Sequence, residues 1–267
     1  MDKTTGVQNR YEAIIERIFR DHYKKSETRF SFRREEIEAV AAKLNIKLPK
    51  NIGDLIYSFR YRAQLPESIR KTAAKGTEWI IDAAGRATYE FVQVRINRIL
   101  PRRDLITIKV PDATPEIVIG YAQGDEQALL AKVRYNRLVD IFLGLTTYSL
   151  QNHLRTTVKG LGQIEIDELY VGLDRHGNHY VIPVQAKGGA DQLSVVQTRQ
   201  DLACCKEKFP GLVCRALSAQ FMDNDQIAMF ELTIESDEVK VVDEKHYKLL
   251  PSSDISIEDL ALYRNRS

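Results

Sequence analysis

Cysteine is scarce in this 267-residue chain, and long apolar runs are missing altogether. The three cysteines include the adjacent pair Cys204 and Cys205, which cannot easily bridge, so we expect thiols in a reducing cytoplasm rather than a disulfide framework. No apolar stretch approaches the roughly 20 residues of a membrane helix, and the start of the sequence lacks the apolar core of a signal peptide. The chain also has no internal repeat and no low-complexity tract. These absences predict a cytoplasmic protein with no membrane partner.

An ordinary composition is combined with an uneven distribution of charge. Hydrophobic residues make up 43% of the chain and charged residues 28%, as in a globular protein with one large core or two modest ones. Residues 1–110 hold 23 Lys and Arg against 14 Asp and Glu, a net charge of +9, whereas the remainder carries −7. The overall charge of +2 therefore hides a basic front half, which indicates a polyanion as its partner.

The front half has the pattern of three helices followed by a hairpin. Apolar residues at helical spacing predict the first helix around Ile14 to Phe19. Ser31 is expected to cap the start of the second helix. A third helix is predicted from about Asn51 to Arg62. Residues 77–94 then alternate as a β-hairpin with its turn at Ala84-Gly85.

This order of elements resembles a winged-helix DNA-binding domain over residues 1–100. The resemblance implies that residues 50–62 form the recognition helix, which enters the major groove of double-stranded DNA. Arg and Asn are the side chains that read guanine and adenine edges there. The implied DNA contacts are Lys50, Asn51, Ser58, Arg60 and Arg62. A solvated charged surface is the alternative interpretation of the same residues.

The most informative stretch of the sequence, Gln163–Gly189, predicts two strands joined by a turn. The turn sequence DRHGN is rich in residues that tolerate tight backbone geometry. Strand side chains alternate between two faces, so Glu165 and Asp167 share a face of the first strand. Gln185 and Lys187 share a face of the second strand for the same reason. If the strands pair, two carboxylates, an amide oxygen and an ammonium group converge.

These groups suit a hard divalent cation beside a phosphate. Mg²⁺ prefers oxygen ligands and keeps several waters, so Asp167, the Gln185 side-chain oxygen and a backbone carbonyl can supply part of its shell. A metal there polarises a phosphoryl oxygen and lowers the pKa of a bound water. Lys187 is expected to orient that water and to stabilise charge on phosphorus, with Glu165 as an accessory acid. The pattern thus predicts Mg²⁺-dependent phosphodiester hydrolysis, and a solvated polar hairpin is the alternative.

The same residues resemble the PD-(D/E)xK nuclease superfamily, the restriction-endonuclease-like fold, in its QxK variant. Asp167 matches the first acid, and Gln185-Ala186-Lys187 matches the triplet. The resemblance implies an α/β (α+β) fold, in which a mixed sheet is flanked by helices, for a catalytic domain over residues 125–267. Residues 101–124, with three prolines, are expected to connect the two domains, with a strand or two of their own. The sequence departs from the family pattern in two ways, since no proline precedes Asp167 and Gln replaces the usual second carboxylate. The glutamine lowers the negative charge of the metal site, which implies one strongly bound ion rather than two.

Further site residues are suggested around this motif. The helix predicted over residues 125–144 supplies an extra carboxylate in many members of that superfamily, but the sequence does not choose among its polar residues. The candidates are Glu126, Asn136 and Asp140. Two further pairs are Gln197 and Gln200, on the helix expected after the triplet, and Arg155 and Lys159, as phosphate contacts.

Together these patterns predict a two-domain DNA endonuclease. Because a duplex has two strands and each chain has one such site, cutting both strands implies a homodimer. A winged helix before a D…QxK domain resembles Mrr-type, modification-dependent restriction enzymes, and a sequence-specific type II restriction enzyme fits equally well. Two other classes stay open: a repair or junction-resolving nuclease, and a non-catalytic DNA-binding regulator with a nuclease-like domain.

Overall fold

The computed structural model describes residues 3–61, 63–95, 99–121, 126–188, 195–235 and 238–264. The chain divides into two compact units. The first comprises Met1–Ile96 and Thr157–Gln163, and the second comprises Asn97–Thr156 and Ile164–Ser267. The main break along the chain thus falls a few residues before the domain boundary expected at residue 100. No helix in the described ranges is long and apolar enough to cross a membrane.

The first unit combines helices with a small antiparallel sheet. Its elements in chain order are α1 (Lys3–His22), β1 (Arg29–Arg33), α2 (Arg34–Lys43), α3 (Gly53–Tyr61), α4 (Glu67–Arg70), β2 (Thr77–Gly85) and β3 (Thr88–Arg95). The strand order of its sheet is β1-β3-β2, and both pairings are antiparallel. The three predicted helices and the hairpin are therefore present, together with a short strand before α2 and a short helix after α3.

The start of α2 differs from the prediction. Ser31 lies inside β1, opposite Glu90 of β3, so it does not cap the helix. The N-cap is Arg33, and the Glu36 side chain accepts a hydrogen bond from the Arg33 backbone N–H at 2.7 Å. Pairing of β1 with the hairpin, a non-local contact, moved the helix start two residues beyond the expected position.

Aromatic rings join α1 to all three strands in the core of the first unit. Phe19 of α1 lies edge-on to Trp79 of β2 and Phe91 of β3, with ring centroids 5.2 and 5.1 Å apart. Phe30 of β1 lies 5.3 Å from both Phe19 and Phe91. Edge-to-face pairs of this kind contribute about 0.5–1.5 kcal/mol beyond the area they bury. The Trp79 indole N–H donates to the Thr72 hydroxyl at 2.9 Å, so its buried polar group is satisfied.

A buried ion pair connects α3 to the sheet of the same unit. Arg60 Nη2 lies 3.0 Å from Asp82 Oδ1 of β2, and the two side chains are only 7% and 14% exposed. The same carboxylate oxygen accepts the Ala83 backbone N–H at 2.8 Å. Because both charges are shielded from water, each depends on the other for compensation.

Replacing Arg60 by alanine should destabilise the first unit by about 3 kcal/mol, because Asp82 would be left as a buried charge without its partner. Chemical denaturation followed by tryptophan fluorescence would report this change, since the single tryptophan, Trp79, lies in the same core. The matched control is Arg29→Ala, which removes a 63% exposed arginine 3.7 Å from Glu90 and should cost less than about 1 kcal/mol. Equal losses in the two variants would contradict the assigned role of the Arg60 pair.

The second unit is built on a large mixed sheet flanked by helices, as predicted. Its elements are β4 (Thr107–Pro111), α5 (Glu116–Tyr121), α6 (Glu126–Tyr135), α7 (Leu138–Leu143), β5 (Thr146–Val158), β6 (Gly162–Leu173), β7 (His179–Lys187), α8 (Val195–Lys208), β8 (Val213–Cys214), β9 (Ala216–Phe221), β10 (Gln226–Glu235), β11 (Glu238–Leu250) and α9 (Ile257–Arg264). The strand order is β4-β11-β10-β9-β7-β6-β5, and β8 pairs with β7. Parallel pairs (β4 with β11, β7 with β9) occur beside antiparallel ones, which makes the sheet mixed.

Strand β7 lies in the interior of this sheet, and both of its faces are covered. On one face, Val184 and Ala186 pack in a cluster with residues of α6 and α7, including Leu129. On the other face, Val181 packs with Cys205 of α8. Alternation then directs Gln185 and Lys187 toward the α8 side. The two polar residues of the triplet therefore lie in a buried environment, where polar groups need partners.

The helix predicted over residues 125–144 is two helices, α6 and α7, and residue 125 lies outside the described ranges. Arg137 between them has a φ of 50°, which ends the regular helical path. The Asn136 side-chain amide donates to the Thr114 hydroxyl at 2.8 Å and to the Lys132 carbonyl at 2.9 Å. Its oxygen accepts the Ala113 backbone N–H at 2.6 Å. A buried asparagine thus ends α6 by binding it to the preceding loop.

The segment 101–124, expected to be a connector, belongs to the second unit. Its strand β4 pairs in parallel with β11, with Tyr247 opposite Ile108. It therefore adds an edge strand to the large sheet rather than spacing the two units apart. Residues 122–124 of this segment lie outside the described ranges.

Candidate active site

The predicted hairpin is formed by β6 and β7. The strands are antiparallel, and Glu168 lies opposite Val184 near the end that carries the triplet. The Asp174 carboxylate closes the connecting turn by accepting two backbone N–H groups, at 2.8 and 3.0 Å. Gly177 in the turn has a φ of 83°, a conformation that glycine adopts at little cost. The sequence prediction of two strands and a tight turn is confirmed.

Asp167, the first acid of the motif, is attached directly to the triplet strand. Its Oδ2 accepts the Ala186 backbone N–H at 2.9 Å. Burial raises the pKa of Asp167, and the negative charges of Glu126 and Glu165 raise it further, whereas the Ala186 N–H and the positive Lys187 lower it. The surroundings of Asp167 therefore disfavour its ionised form, and a cation bound beside the carboxylate would stabilise that form.

Gln185, the second motif residue, is held by an acid on α8. Its Nε2 donates to both carboxylate oxygens of Asp201, at 3.1 and 2.9 Å. Gln185 is 3% exposed and Asp201 is 2% exposed. Burial raises the pKa of Asp201 to about 8, from an ordinary 3.8, although the Gln185 hydrogen bond opposes the shift. On its other side the Gln185 Oε1 accepts a long hydrogen bond, 3.5 Å, from Gln197 Nε2.

Lys187, the third motif residue, pairs with the first residue of α6. Its Nζ lies 3.4 Å from Glu126 Oε1, and its side chain is 11% exposed. The Lys187 charge also lowers the pKa values of both Asp167 and Asp201, so these two carboxyl groups lie within electrostatic range of the ammonium group. Of the three candidate residues in the 125–144 segment, the structure brings Glu126 to the motif.

The other two candidates have structural contacts elsewhere. Asn136 ends α6, as described above. Asp140 accepts the Thr147 backbone N–H at 2.8 Å and the Thr147 hydroxyl at 3.0 Å, and it pairs with Arg137 at 2.7 Å. It therefore fixes the start of β5 to α7. The partners of both residues lie outside the motif.

Glu165, the expected accessory acid, lies next to the motif but contacts β5. Its carboxylate is 3.3 Å from Arg155 Nε and 3.6 Å from His153 Nδ1. Its charge contributes to the raised pKa of Asp167, which places it within electrostatic range of the site. Arg155 and Lys159, the expected phosphate contacts, are both exposed, and Arg155 already pairs with Glu165.

The donor set around the motif fits a hard divalent cation. Asp167 and Gln185 offer oxygen atoms, and Oδ1 of Asp167 makes no hydrogen bond with the described residues. The carboxyl groups of Asp167, Glu126 and Glu165 outnumber the cations Lys187 and Arg155, which leaves an excess of negative charge even where Asp201 is protonated. Within the described ranges no three His, Cys, Asp or Glu side chains form a metal cage. Mg²⁺ in particular keeps several waters, so one or two carboxylates are sufficient to hold it.

The predicted DNA contacts of the first unit differ in their surroundings. Lys50 and Asn51 are exposed, and the Asn51 side chain accepts the Gly53 backbone N–H at 3.1 Å at the start of α3. Ser58 is half-buried. A side chain that reads bases has to be exposed, but the Arg60 guanidinium is buried against Asp82. The prediction of Arg60 as a base contact is therefore wrong for this structure. Arg62 lies outside the described residues.

Asp201 was not among the site residues expected from the sequence, whereas its polar neighbours Gln197 and Gln200 on the same helix were. The structure buries Gln200 and places Gln197 beside Gln185. Asp201 is four residues after Gln197, so the two lie on one face of α8. The triplet has Gln185 where a second acid is usual, and the helix after it carries an acid one turn beyond Gln197. This spacing was the signal in the sequence that could have indicated Asp201.

The second unit therefore has the architecture of a mixed sheet with a polar, carboxylate-rich cluster at the end of its β6–β7 hairpin. No protein-family model, curated protein or solved structure matches the chain significantly.

Proposed function

We propose that this protein is a Mg²⁺-dependent DNA endonuclease of the PD-(D/E)xK type. The observation that supports the proposal most strongly is the arrangement around β7. Asp167 bonds to the triplet backbone, while Gln185 and Lys187 share the α8 face of the strand. Glu126 adds a second carboxylate beside Lys187. A solvated hairpin would not bury a lysine and a glutamine together with two acids, because each such group costs free energy unless it is paired.

Each residue then has a defined part in hydrolysis. Asp167 and the Gln185 side-chain oxygen would hold Mg²⁺, and the ion, when bound, supplies Lewis-acid stabilisation of the scissile phosphate. Lys187 would orient the attacking water and stabilise the negative charge that develops on the phosphoryl oxygens. Glu126 holds the Lys187 ammonium group in place, 3.4 Å away, and Glu165 contributes negative charge that favours cation binding.

The first unit is proposed to bind double-stranded DNA as a winged helix. Its order of elements, with three helices and a short fourth one, a strand before α2 and a final hairpin, supports this interpretation. In that arrangement α3 would enter the major groove, and the contacts would be Ser58 on the helix with Lys50 and Asn51 just before it. Arg155 and Lys159 of the β5–β6 hairpin would contact phosphates. A homodimer would let two such sites cut both strands.

Replacing the exposed Lys50 by alanine should weaken DNA binding similarly for all sequences, because a lysine of this kind contacts phosphate rather than bases. It should also lower the slope of log affinity against log salt by about 0.9, the effect of one phosphate contact. Titration by fluorescence anisotropy at several salt concentrations measures both. Lys71→Ala, which removes an exposed lysine of the same unit just after α4, is the control. An unchanged slope in the Lys50 variant would argue against the start of α3 as part of the DNA-binding surface.

The proposed activity is tested by incubating the purified protein with methylated and unmethylated phage DNA and Mg²⁺, then sequencing the fragment ends. Fragments that form with Mg²⁺ and not with EDTA would support an endonuclease. Their ends would distinguish a modification-dependent from a sequence-specific enzyme. Cleavage limited to forked or four-way DNA would instead indicate a repair or junction-resolving nuclease. DNA binding with no cleavage of any substrate would indicate a regulator.

A further inference from the structure

The amide of Gln185 is held in one orientation by two neighbours on α8. A side-chain amide has a donor nitrogen and an acceptor oxygen, and rotation by 180° exchanges them. Asp201 accepts from the Gln185 nitrogen with both carboxylate oxygens, at 3.1 and 2.9 Å. Gln197 donates to the Gln185 oxygen from the opposite side, at 3.5 Å. Both contacts favour the same orientation, in which the nitrogen faces Asp201 and the oxygen faces away from it.

We propose that Asp201 is a positioning residue, whose carboxylate holds the Gln185 amide so that its oxygen is available to a divalent cation. This inference rests on the proposed metal-dependent function. Without Asp201, the two amide orientations would be closer in energy, and the rotated one would present an N–H donor where a cation needs an oxygen. The role of Asp201 is therefore to keep a neutral side chain acting as a ligand.

The geometry also argues against Asp201 as a direct metal ligand. Both of its oxygens lie within hydrogen-bond distance of the Gln185 nitrogen, and the residue is 2% exposed. The backbone oxygen of Gln185 is fixed separately by the Ser218 hydroxyl at 3.2 Å, so the strand itself does not depend on Asp201. A carboxylate placed behind an amide ligand thus acts through that ligand. Mutation of a residue that hydrogen-bonds to a metal ligand typically weakens metal binding by about 10–100-fold.

Substitution of Asp201 by asparagine is the first test, because asparagine has the same shape but offers both a donor and an acceptor. Asp201→Asn should weaken Mn²⁺ binding by about 10–100-fold. The measurement is electron paramagnetic resonance of free Mn²⁺ in titrations of the full chain without DNA, at a pH of about 8.5, where the Asp201 carboxyl is mostly ionised even though burial raises its pKa to about 8. The Mg²⁺ concentration for half-maximal cleavage should rise in the same proportion, while DNA affinity in EDTA stays at the wild-type value.

The double variant Gln185→Glu with Asp201→Asn is the decisive rescue. It restores the hydrogen bond with the roles reversed, since the introduced asparagine amide then donates to the introduced glutamate carboxylate on β7. We expect Mn²⁺ binding at least as tight as in the wild type. Cys205→Ala, a buried change one turn further along α8, controls for disturbed packing and should leave Mn²⁺ affinity within about threefold.

The outcomes separate this inference from the proposed function. Wild-type Mn²⁺ affinity in Asp201→Asn, or a double variant that binds no better than Asp201→Asn, would overturn the positioning role while leaving the nuclease proposal in place. An equal loss in Cys205→Ala would also overturn it, because packing alone would then explain the effect. A wild-type protein that binds no Mn²⁺ and cleaves no DNA would overturn both.

Discussion

Replacing Lys187 by alanine should reduce Mg²⁺-dependent DNA cleavage by about 10³-fold and leave DNA binding nearly unchanged. The lysine is the only cation among the described residues that lowers the pKa values of both Asp167 and Asp201, and it lies 3.4 Å from Glu126. Its loss would remove the group proposed to orient the water and to stabilise charge on the phosphate. Single-turnover cleavage of a plasmid measures the first effect, and a mobility shift in EDTA measures the second.

The Lys187 prediction has a control on the same domain. Lys208→Ala removes a lysine at the end of α8 that pairs with Glu207 at 2.8 Å, so it changes the net charge equally without touching the motif. Its cleavage rate should stay within about threefold of wild type, as expected for a surface pair of small energetic value. Cleavage by Lys187→Ala at the Lys208→Ala rate would show that this ammonium group has no part in the chemistry.

Replacing Asp167 by asparagine should abolish metal-dependent cleavage and at the same time stabilise the metal-free protein. Outer-shell changes alone cost up to about 10²-fold, so loss of a direct carboxylate ligand should exceed that factor. The stability effect follows from the raised pKa of Asp167. A carboxyl whose folded-state pKa lies above its ordinary value contributes stability at low pH and loses it as the pH rises, so at pH 8 its ionised form opposes folding.

Thermal melting in EDTA at pH 8 tests the second half of this prediction. Asp167→Asn should melt above the wild type, and the difference should shrink as the pH falls. Glu165→Gln removes a neighbouring charge that already pairs with Arg155, and it should change cleavage far less. A less stable Asp167→Asn variant would mean that the Ala186 hydrogen bond outweighs the buried charge. Retained cleavage would remove Asp167 from the proposed metal site.

The β6–β7 hairpin could be predicted because its information is local. Period-two alternation and the turn residues around Gly177 specify two strands and their connection without reference to the remainder of the chain. The shared face of Gln185 and Lys187 follows from the same alternation. The three helices and the hairpin of the first unit were recognisable for a similar reason.

The partners of the motif could not be predicted in the same way, because they come from distant parts of the chain. Glu126 precedes Lys187 by 61 residues, and only the packing of α6 on the sheet brings it close. The break at Asn136 depends on a loop more than 20 residues earlier. Arg60 was expected at the surface, whereas a buried acid on β2 holds it inside. Each of these differences is a side-chain contact that residue spacing does not encode.

The most direct test of the proposed active site is plasmid cleavage by the wild type, Asp167→Asn and Lys187→Ala, side by side, with Mg²⁺ and with EDTA. We predict nicked and linear products only from the wild type with Mg²⁺, while all three proteins bind DNA. Equal cleavage by the variants, or wild-type cleavage that persists in EDTA, would contradict a site in which one acid, one amide and one amine act together.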